Sequence, residues 1–411
     1  MNKIIKVLIS GAFARLISLA SLPFVARLYS PDDFGVLALV TSLSLIFAPF
    51  LSLRLVLLLP KYSGKELQKN LRLNISLVVQ VFSIFLTVWV VSFFVIAQAF
   101  EYRYPSFYLL VPFLALLGAL YEVNSVYLAV EEKTRLISLI QISQAVFESA
   151  SKIVLGVLFV PVSLSLVVGY FLYLVIPALN IILVNVRLSA MERIYFKDTL
   201  HYVIKNRKYV YTRFPSQVLL SLTMQYPIIA AAYLFDSSLV GQYAVVLAIL
   251  AVPVALMVQS VGNIYYAKVT AYVMKDADKA KEYYFTVLGL SFLISALLSV
   301  TLFVSSEFLV SIVFGNGWPL VAGILDICLI SFVVQLGVAP LMNTLSAIRK
   351  DVELLIMNFM RLIFVICVFM IALIESMSFE EYIKLYTIFM FGYYSLIVFW
   401  MSVRVLRYET Y

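Results

Sequence analysis

Charge is scarce in this chain: 13% of its 411 residues are Asp, Glu, Lys or Arg while 64% are hydrophobic, where soluble domains hold about 25% and 45–50%. That balance, with a mean hydropathy of +1.03, excludes an ordinary water-soluble globule. Cysteine is almost absent. Cys328 and Cys367 both lie inside apolar runs and lack metal-ligand spacing, so neither a structural disulfide nor a metal site is expected. The lone His201 sits in a basic segment and reads as a solvated side chain. There is no long Gly/Ser/Pro linker, no low-complexity tract and no loop of domain size. Function must therefore reside in the apolar bundle. The first run, 4–26, has no small-residue cleavage pattern, so a retained helix is expected, not a removed signal.

What the chain does have is long apolar runs. Twelve are of the length that crosses a hydrocarbon core of about 30 Å as helix: 4–26, 34–59, 74–99, 107–130, 136–160, 163–186, 210–235, 240–267, 284–304, 319–346, 353–374 and 383–403. The basic residues test that count, because cytoplasmic loops hold an excess of Lys and Arg. With the N-terminus inside, 23 of the 30 Lys and Arg residues fall on the cytoplasmic side, four lie within the spans, and only Arg27, Arg103 and Lys384 fall on the outer side. A missed span would invert every later loop, so twelve spans with both termini cytoplasmic is the expectation. The net charge of +8 is then topology plus attraction to an anionic inner leaflet. It gives no ground for nucleic acid as a partner.

The longest polar segment, Arg187 to Lys208, divides the spans six and six. Expected domains are an N-terminal lobe over 1–186, a basic cytoplasmic linker over 187–209 containing a surface helix, and a C-terminal lobe over 210–411. The halves resemble each other. Arg27 to Ile46 reads like Ala232 to Leu250, with Gly35 matching Gly241, and Asn124 to Ile140 reads like Met342 to Met357. Six spans per half is an even number, so the repeats share orientation, and such parallel pairs commonly enclose a central cavity that opens alternately to either side.

Four cations, Arg15, Arg54, Lys152 and Arg361, interrupt apolar runs, where a charge costs about 2.5–3.5 kcal/mol even on the lenient insertion scale. Each needs a partner or a task. Arg15 is at the middle of its span, with Gly11 and Ser18 giving its face a small, polar stripe that should line a wet cavity. Arg54 lies beyond Pro49 near the cytoplasmic end of its span, where snorkelling competes with a ligand-facing role. Gln141, Gln144, Glu148 and Lys152 fall along one helical face, and Glu148 with Lys152 at i, i+4 reads equally as a structural pair or a coupling switch. Glu122 and Asp326 are the other acids at membrane depth. A desolvated carboxylate can bind and release a proton near neutrality, and its oxygens also suit sodium. Either acid is thus an ion-coupling candidate, or a neutraliser of Arg15 or Arg361. Arg361 is the second half's membrane-depth cation, with Asn358 one turn before it. Tyr121, Tyr127 and Tyr265 are candidates to line a cavity for sugars. Ser30-Pro31-Asp32-Asp33 reads as a helix start, with Ser as cap and the acids on the positive helix end.

The strings SGAFARLISLASLPFVARLYSPDDFGVLAL (Ser10 to Leu39), LSLRLVLLLPK (Leu51 to Lys61) and FGNGWPLVAGILDI (Phe314 to Ile327) resemble bacterial polysaccharide and O-antigen flippases. These belong to the multidrug/oligosaccharidyl-lipid/polysaccharide (MOP) exporter superfamily. The resemblance implies an all-α integral membrane fold of two six-helix lobes around a cationic cavity, in the plasma membrane, with no enzymatic step. It implies transport of an undecaprenyl-diphosphate-linked oligosaccharide, an O-antigen, capsule or exopolysaccharide repeat unit, from the cytoplasmic to the outer leaflet. Arg15 and Arg54 match the arginines of the first two helices of such transporters. They would hold the diphosphate, with Lys152 and Arg361 adding positive field and Glu148, Glu122 or Asp326 binding a coupling proton or sodium ion; no other cofactor is expected. Membrane lipids, a polysaccharide polymerase and chain-length proteins are the expected partners. Relatives with an acid soon after the second-helix arginine differ from this chain, which has Arg-Leu-Val over Arg54 to Val56. Two rivals share the features: a membrane glycosyltransferase or polymerase using the same lipid-linked sugar, which would need a larger external loop, and a multidrug exporter, whose cationic drugs would favour an acidic cavity.

Overall fold

The computed structural model describes residues 2–99, 106–159, 162–189, 194–273, 275–348 and 350–408. Arg103, Arg193 and Arg349, used above to orient the loops, lie outside the described residues. Everything described is helix or connecting turn. The first half runs α1 (Asn2–Leu28), α2 (Pro31–Ser52), a 3-10 turn (Leu55–Lys61), α3 (Gly64–Ala99), α4 (Val111–Val130), α5 (Thr134–Leu158), α6 (Ser163–Ser189), α7 (Phe196–Lys205) and α8 (Arg207–Leu234). The second runs α9 (Ser237–Met257), a π turn (Val258–Gly262), α10 (Asn263–Val273), α11 (Ala277–Val313), α12 (Val321–Val338), a 3-10 turn (Ala339–Leu341), α13 (Thr344–Ala347), α14 (Asp351–Ile374) and α15 (Phe379–Leu406).

Eleven segments among the described residues are long and apolar enough to cross a membrane. The twelfth expected span is α5, whose 25 residues suffice in length but whose polar face carries Gln141, Gln144, Glu148 and Lys152. Three expected spans are not continuous helices: 319–346 is interrupted by the 3-10 turn Ala339–Leu341, and two others break at corresponding places. The run 34–59 breaks after Ser52, and the run 240–267 passes through the π turn Val258–Gly262. Hydropathy cannot show either break, because the residues on both sides are equally apolar. The two breaks match: the offset of 206 that carries Gly35 onto Gly241 carries Arg54 onto Ser260. Single π turns within helices occur frequently at functional sites.

The chain divides into two compact units, one of 1–29 with 36–229 and the other of 30–35 with 230–411. The division falls inside α8, and α2 gives its first turn to the second unit. That turn starts as expected. Ser30 N and Oγ donate to the Asp33 carboxylate at 3.0 and 2.7 Å, and Asp33 N donates back to Ser30 Oγ at 3.3 Å.

In the first unit α1 packs along α5, α5 on α6, and α4 on α6 and α3. In the second, α12 lies between α11, α15 and α9. The helix surfaces are arranged for lipid. On α11, Ser291, Ser295, Ser299 and Ser306 are buried while Leu297, Val300, Phe303 and Phe308 are exposed, and Ser295 Oγ donates to the Val333 carbonyl at 2.6 Å. Small residues let helices approach where lipid removes the hydrophobic drive between them, and the large apolar side chains face outward.

Candidate functional site

The stripe beside Arg15 does not line a wet cavity; it faces α5. Ser10 Oγ contacts Ser138 Oγ and Gln141 Oε1 at 2.9 Å each, and Ser21 Oγ donates to Ser149 Oγ at 2.9 Å. A side chain added to Gly11 would meet the Gln141 amide at 3.6 Å. Small hydroxyl residues on one helix answer the polar stripe on the other, which explains why both sequences tolerate them. Arg15 stands at the edge of this seam, half-buried. Its Nη1 is buried and has no hydrogen-bond partner, a situation that costs the desolvation of a charged donor unless a ligand or water meets it.

Arg54 occupies a different kind of place. Leu53 and Arg54 have φ of 44° and 56°, a left-handed conformation costing roughly 1–2 kcal/mol per non-glycine residue. Strain of this kind persists only where the surroundings over-determine it. Here Leu55, Val56 and Leu59 are fully buried, with Val56 and Leu59 packed among Leu51, Leu67, Leu71 and Val123, and the Arg54 N–H donates to Ser52 Oγ at 3.2 Å. The turn points the guanidinium inward, so Arg54 does not snorkel. Nη1 pairs with the Glu122 carboxylate on α4 and Nη2 donates to Gln217 Oε1 on α8. Nε is buried without a partner. Glu122 therefore neutralises Arg54, not Arg15 or Arg361.

Lys152 pairs with Glu148 across one helical turn, Nζ to Oε1 at 2.6 Å, the two side chains being 14% and 19% exposed. Its stem crosses Gly169 of α6 so closely that a Cβ there would stand 2.5 Å from Lys152 Cγ. Gln144, on the same face, donates to the Tyr173 carbonyl at 2.9 Å, and Tyr173 stacks on Tyr170 and lies tilted against Tyr121, with ring centroids 6.1 and 6.2 Å away.

In the second unit Arg361 is 7% exposed. It lies over the rings of Tyr393 and Tyr394, 5.9 and 5.7 Å from their centroids, and Tyr386 hydrogen-bonds its guanidinium. In this conformation its guanidinium is enclosed by the tyrosine rings. Asp326, on α12, has a buried Oδ1 without a hydrogen-bond partner. Of the three coupling candidates, Glu122 and Glu148 are held by cations, and Asp326 keeps an open oxygen. Tyr265 is fully buried and shares a 2.8 Å hydrogen bond with Thr344, and Tyr127 is buried and accepts from Lys133 Nζ at 3.2 Å. Neither lines a sugar path here.

Sequence reading missed Gln217 and the Tyr170–Tyr173 pair. A glutamine in mid-span is a signal for the first. The tyrosines, at i and i+3 beside Gly169, are indistinguishable in sequence from ordinary bundle aromatics.

A family model described as polysaccharide biosynthesis protein matches residues 24–322. No curated protein sequence is similar enough to match. Among solved structures, the inward-facing conformation of a multidrug resistance MATE family transporter of the MOP superfamily resembles the chain with a TM-score of 0.73 at 12% identity, over 96% of this chain and 98% of that one. The lipid II flippase MurJ, in an inward closed conformation, gives 0.70 at 13% identity over 98% and 90%. A MOP superfamily transporter from Pyrococcus furiosus gives 0.56 at 13% over 100% and 96%. At such identities the likeness concerns the fold: an all-helical, multi-pass membrane fold of the MOP type.

Proposed function

The chain belongs to the polysaccharide biosynthesis protein family, and on that footing we propose that it is a flippase. Its cargo is an undecaprenyl-diphosphate-linked oligosaccharide, an O-antigen, capsule or exopolysaccharide repeat unit. The protein carries it from the cytoplasmic to the outer leaflet of the bacterial inner membrane, with both termini cytoplasmic and no bond made or broken. The observation that carries this reading is the unpartnered, buried Nη1 of Arg15. A fixed cation with a spare donor at membrane depth suits an anionic group, and a diphosphate supplies several acceptor oxygens.

Arg54 is the second contact. Its bonds to Glu122 and Gln217 make its availability conditional: a proton on Glu122 would break the ion pair and free the guanidinium for the diphosphate. Loading of cargo and loading of a proton would thereby be linked through one residue. Lys152, held by Glu148, adds positive field without direct contact. The reading is tested by reconstituting the purified protein into vesicles with a fluorescent polyprenyl-diphosphate oligosaccharide and following its protection from a quencher. Transfer between leaflets that depends on the protein is expected. Release of free polyprenyl diphosphate in its place would show an enzyme and overturn the proposal.

Asp326 is the proposed second-unit site of the coupling ion, H+ or Na+, since a buried carboxylate oxygen without a donor is satisfied by a proton or a cation. Asp326→Asn keeps the shape and removes the charge. The expected outcome is cargo binding unchanged and transport no longer accelerated by an imposed proton or sodium gradient. A variant that still responds fully to both gradients would exclude Asp326.

A further inference from the structure

Helix α7 is amphipathic in an unusual sense, because its protein-facing side is the hydrogen-bonding one. Thr199 and Tyr202 are buried against α3, where Tyr202 OH accepts from Asn74 Nδ2 at 3.1 Å and Thr199 Oγ1 meets Ser76 Oγ at 3.1 Å and Gln80 Nε2 at 3.2 Å. The apolar residues point away. Phe196, Leu200 and Ile204 recur every four residues, one helical stripe, and are 62%, 48% and 53% exposed. On the opposite flank Asp198, His201 and Lys205, spaced i, i+3 and i+7, are also exposed. The cross-section therefore has three sectors: one held by the protein, one apolar, one polar. Exposed Lys197, Lys205, Arg207 and Lys208 surround the helix, while its acid Asp198 is engaged as a cap, accepting from Tyr195 N at 2.8 Å.

An apolar stripe this exposed, beside a polar flank and rimmed by cations, fits the boundary between acyl chains and anionic headgroups. We infer that α7 is a lipid-seated helix, with Phe196, Leu200 and Ile204 dipped below the headgroups of the cytoplasmic leaflet and the surrounding Lys and Arg residues bound to anionic phospholipid. The inference is independent of the cargo. Tyr202 packs with Leu55 and Leu58 of the 3-10 turn and with Leu73 and Leu77 of α3. The seated helix therefore buttresses the segment immediately after the strained Arg54 turn.

The test uses the full chain in vesicles of phosphatidylcholine with and without phosphatidylglycerol. In a background with Cys328→Ala and Cys367→Ala, single cysteines replacing Leu200, Ile204 or His201 carry an environment-sensitive fluorophore. Labels at 200 and 204 are expected to be quenched by brominated lipid, and the label at 201 by aqueous iodide. Equal iodide access at all three positions would overturn the inference. A second measurement leaves the cysteines intact: Lys197→Gln with Lys208→Gln should weaken retention of phosphatidylglycerol, read by native mass spectrometry, by about twenty-five-fold, or about five-fold per cation removed. Undiminished retention in that variant would refute the headgroup contact.

Discussion

Replacing Arg15 by alanine is expected to lower affinity for a polyprenyl-diphosphate cargo by roughly 10- to 100-fold, the equivalent of one charge-assisted hydrogen bond at about 1.5–3 kcal/mol. Transport between leaflets should fall in parallel while the protein still accumulates in the membrane. The argument is local. Nη1 of Arg15 is already desolvated and has no hydrogen bond to lose, so truncation removes an anion contact without stranding a partner. Arg15→Lys should recover part of the loss, because it restores the charge without the planar fork that grips two oxygens. Cargo binding measured on the purified variants decides the matter, and an Arg15→Ala protein that binds and moves the cargo as the parent does would rule this residue out.

Gly241→Val is expected to abolish transport through geometry alone. A Cβ at Gly241 would lie 1.8 Å from the Pro31 carbonyl oxygen and 2.8 Å from Gly35 N, and a Cβ at Gly35 would lie 2.0 Å from the Ser237 carbonyl oxygen. These are backbone atoms, so no side chain can swing aside. Overpacking in helical cores typically costs about 1–3 kcal/mol and occasionally more, and a clash against backbone belongs at or above the top of that range. Only by moving the first turn of α2 away from α9 can the chain admit the valine. Such a displacement unseats the hydrogen bond from Ser237 Oγ to the Asp32 carbonyl on which this contact rests. Gly289→Val is the control, since nothing lies within 4 Å of its position. The comparison is made by transport in vesicles and by cross-linking of Asp32→Cys with Ser237→Cys, residues whose parent forms share a 3.1 Å hydrogen bond. Parental transport and cross-linking in Gly241→Val would defeat the prediction.

Much of the local structure was legible. The Ser30–Asp33 cap and the Glu148–Lys152 pair both depend on residues three or four apart on one helix, so spacing alone brings them together. The repeat was legible as well, and the match of Gly35 with Gly241 acquires a physical meaning in the structure: corresponding residues of the two halves meet backbone to backbone. The partner of Arg54 was not legible. Glu122 is 68 residues away and Gln217 is 163, and spacing along a helix carries no information at such separations, so nothing in the pattern says which helices become neighbours.

The sequence by itself determined that the chain is an all-helical, multi-pass membrane protein, because only long apolar helices satisfy their backbone in lipid. Its motifs also determined the family resemblance. Tertiary structure alone decided the state of each buried charge: Arg15 with a donor to spare, Arg54 tied to Glu122 and Gln217, Arg361 enclosed by tyrosines, Asp326 with an open oxygen. The reason is that a charge at membrane depth is governed by what packs within a few ångströms of it. Helix packing in lipid, set by small-residue seams such as α1 on α5 and by the helix break at Leu53 and Arg54, fixes those neighbours.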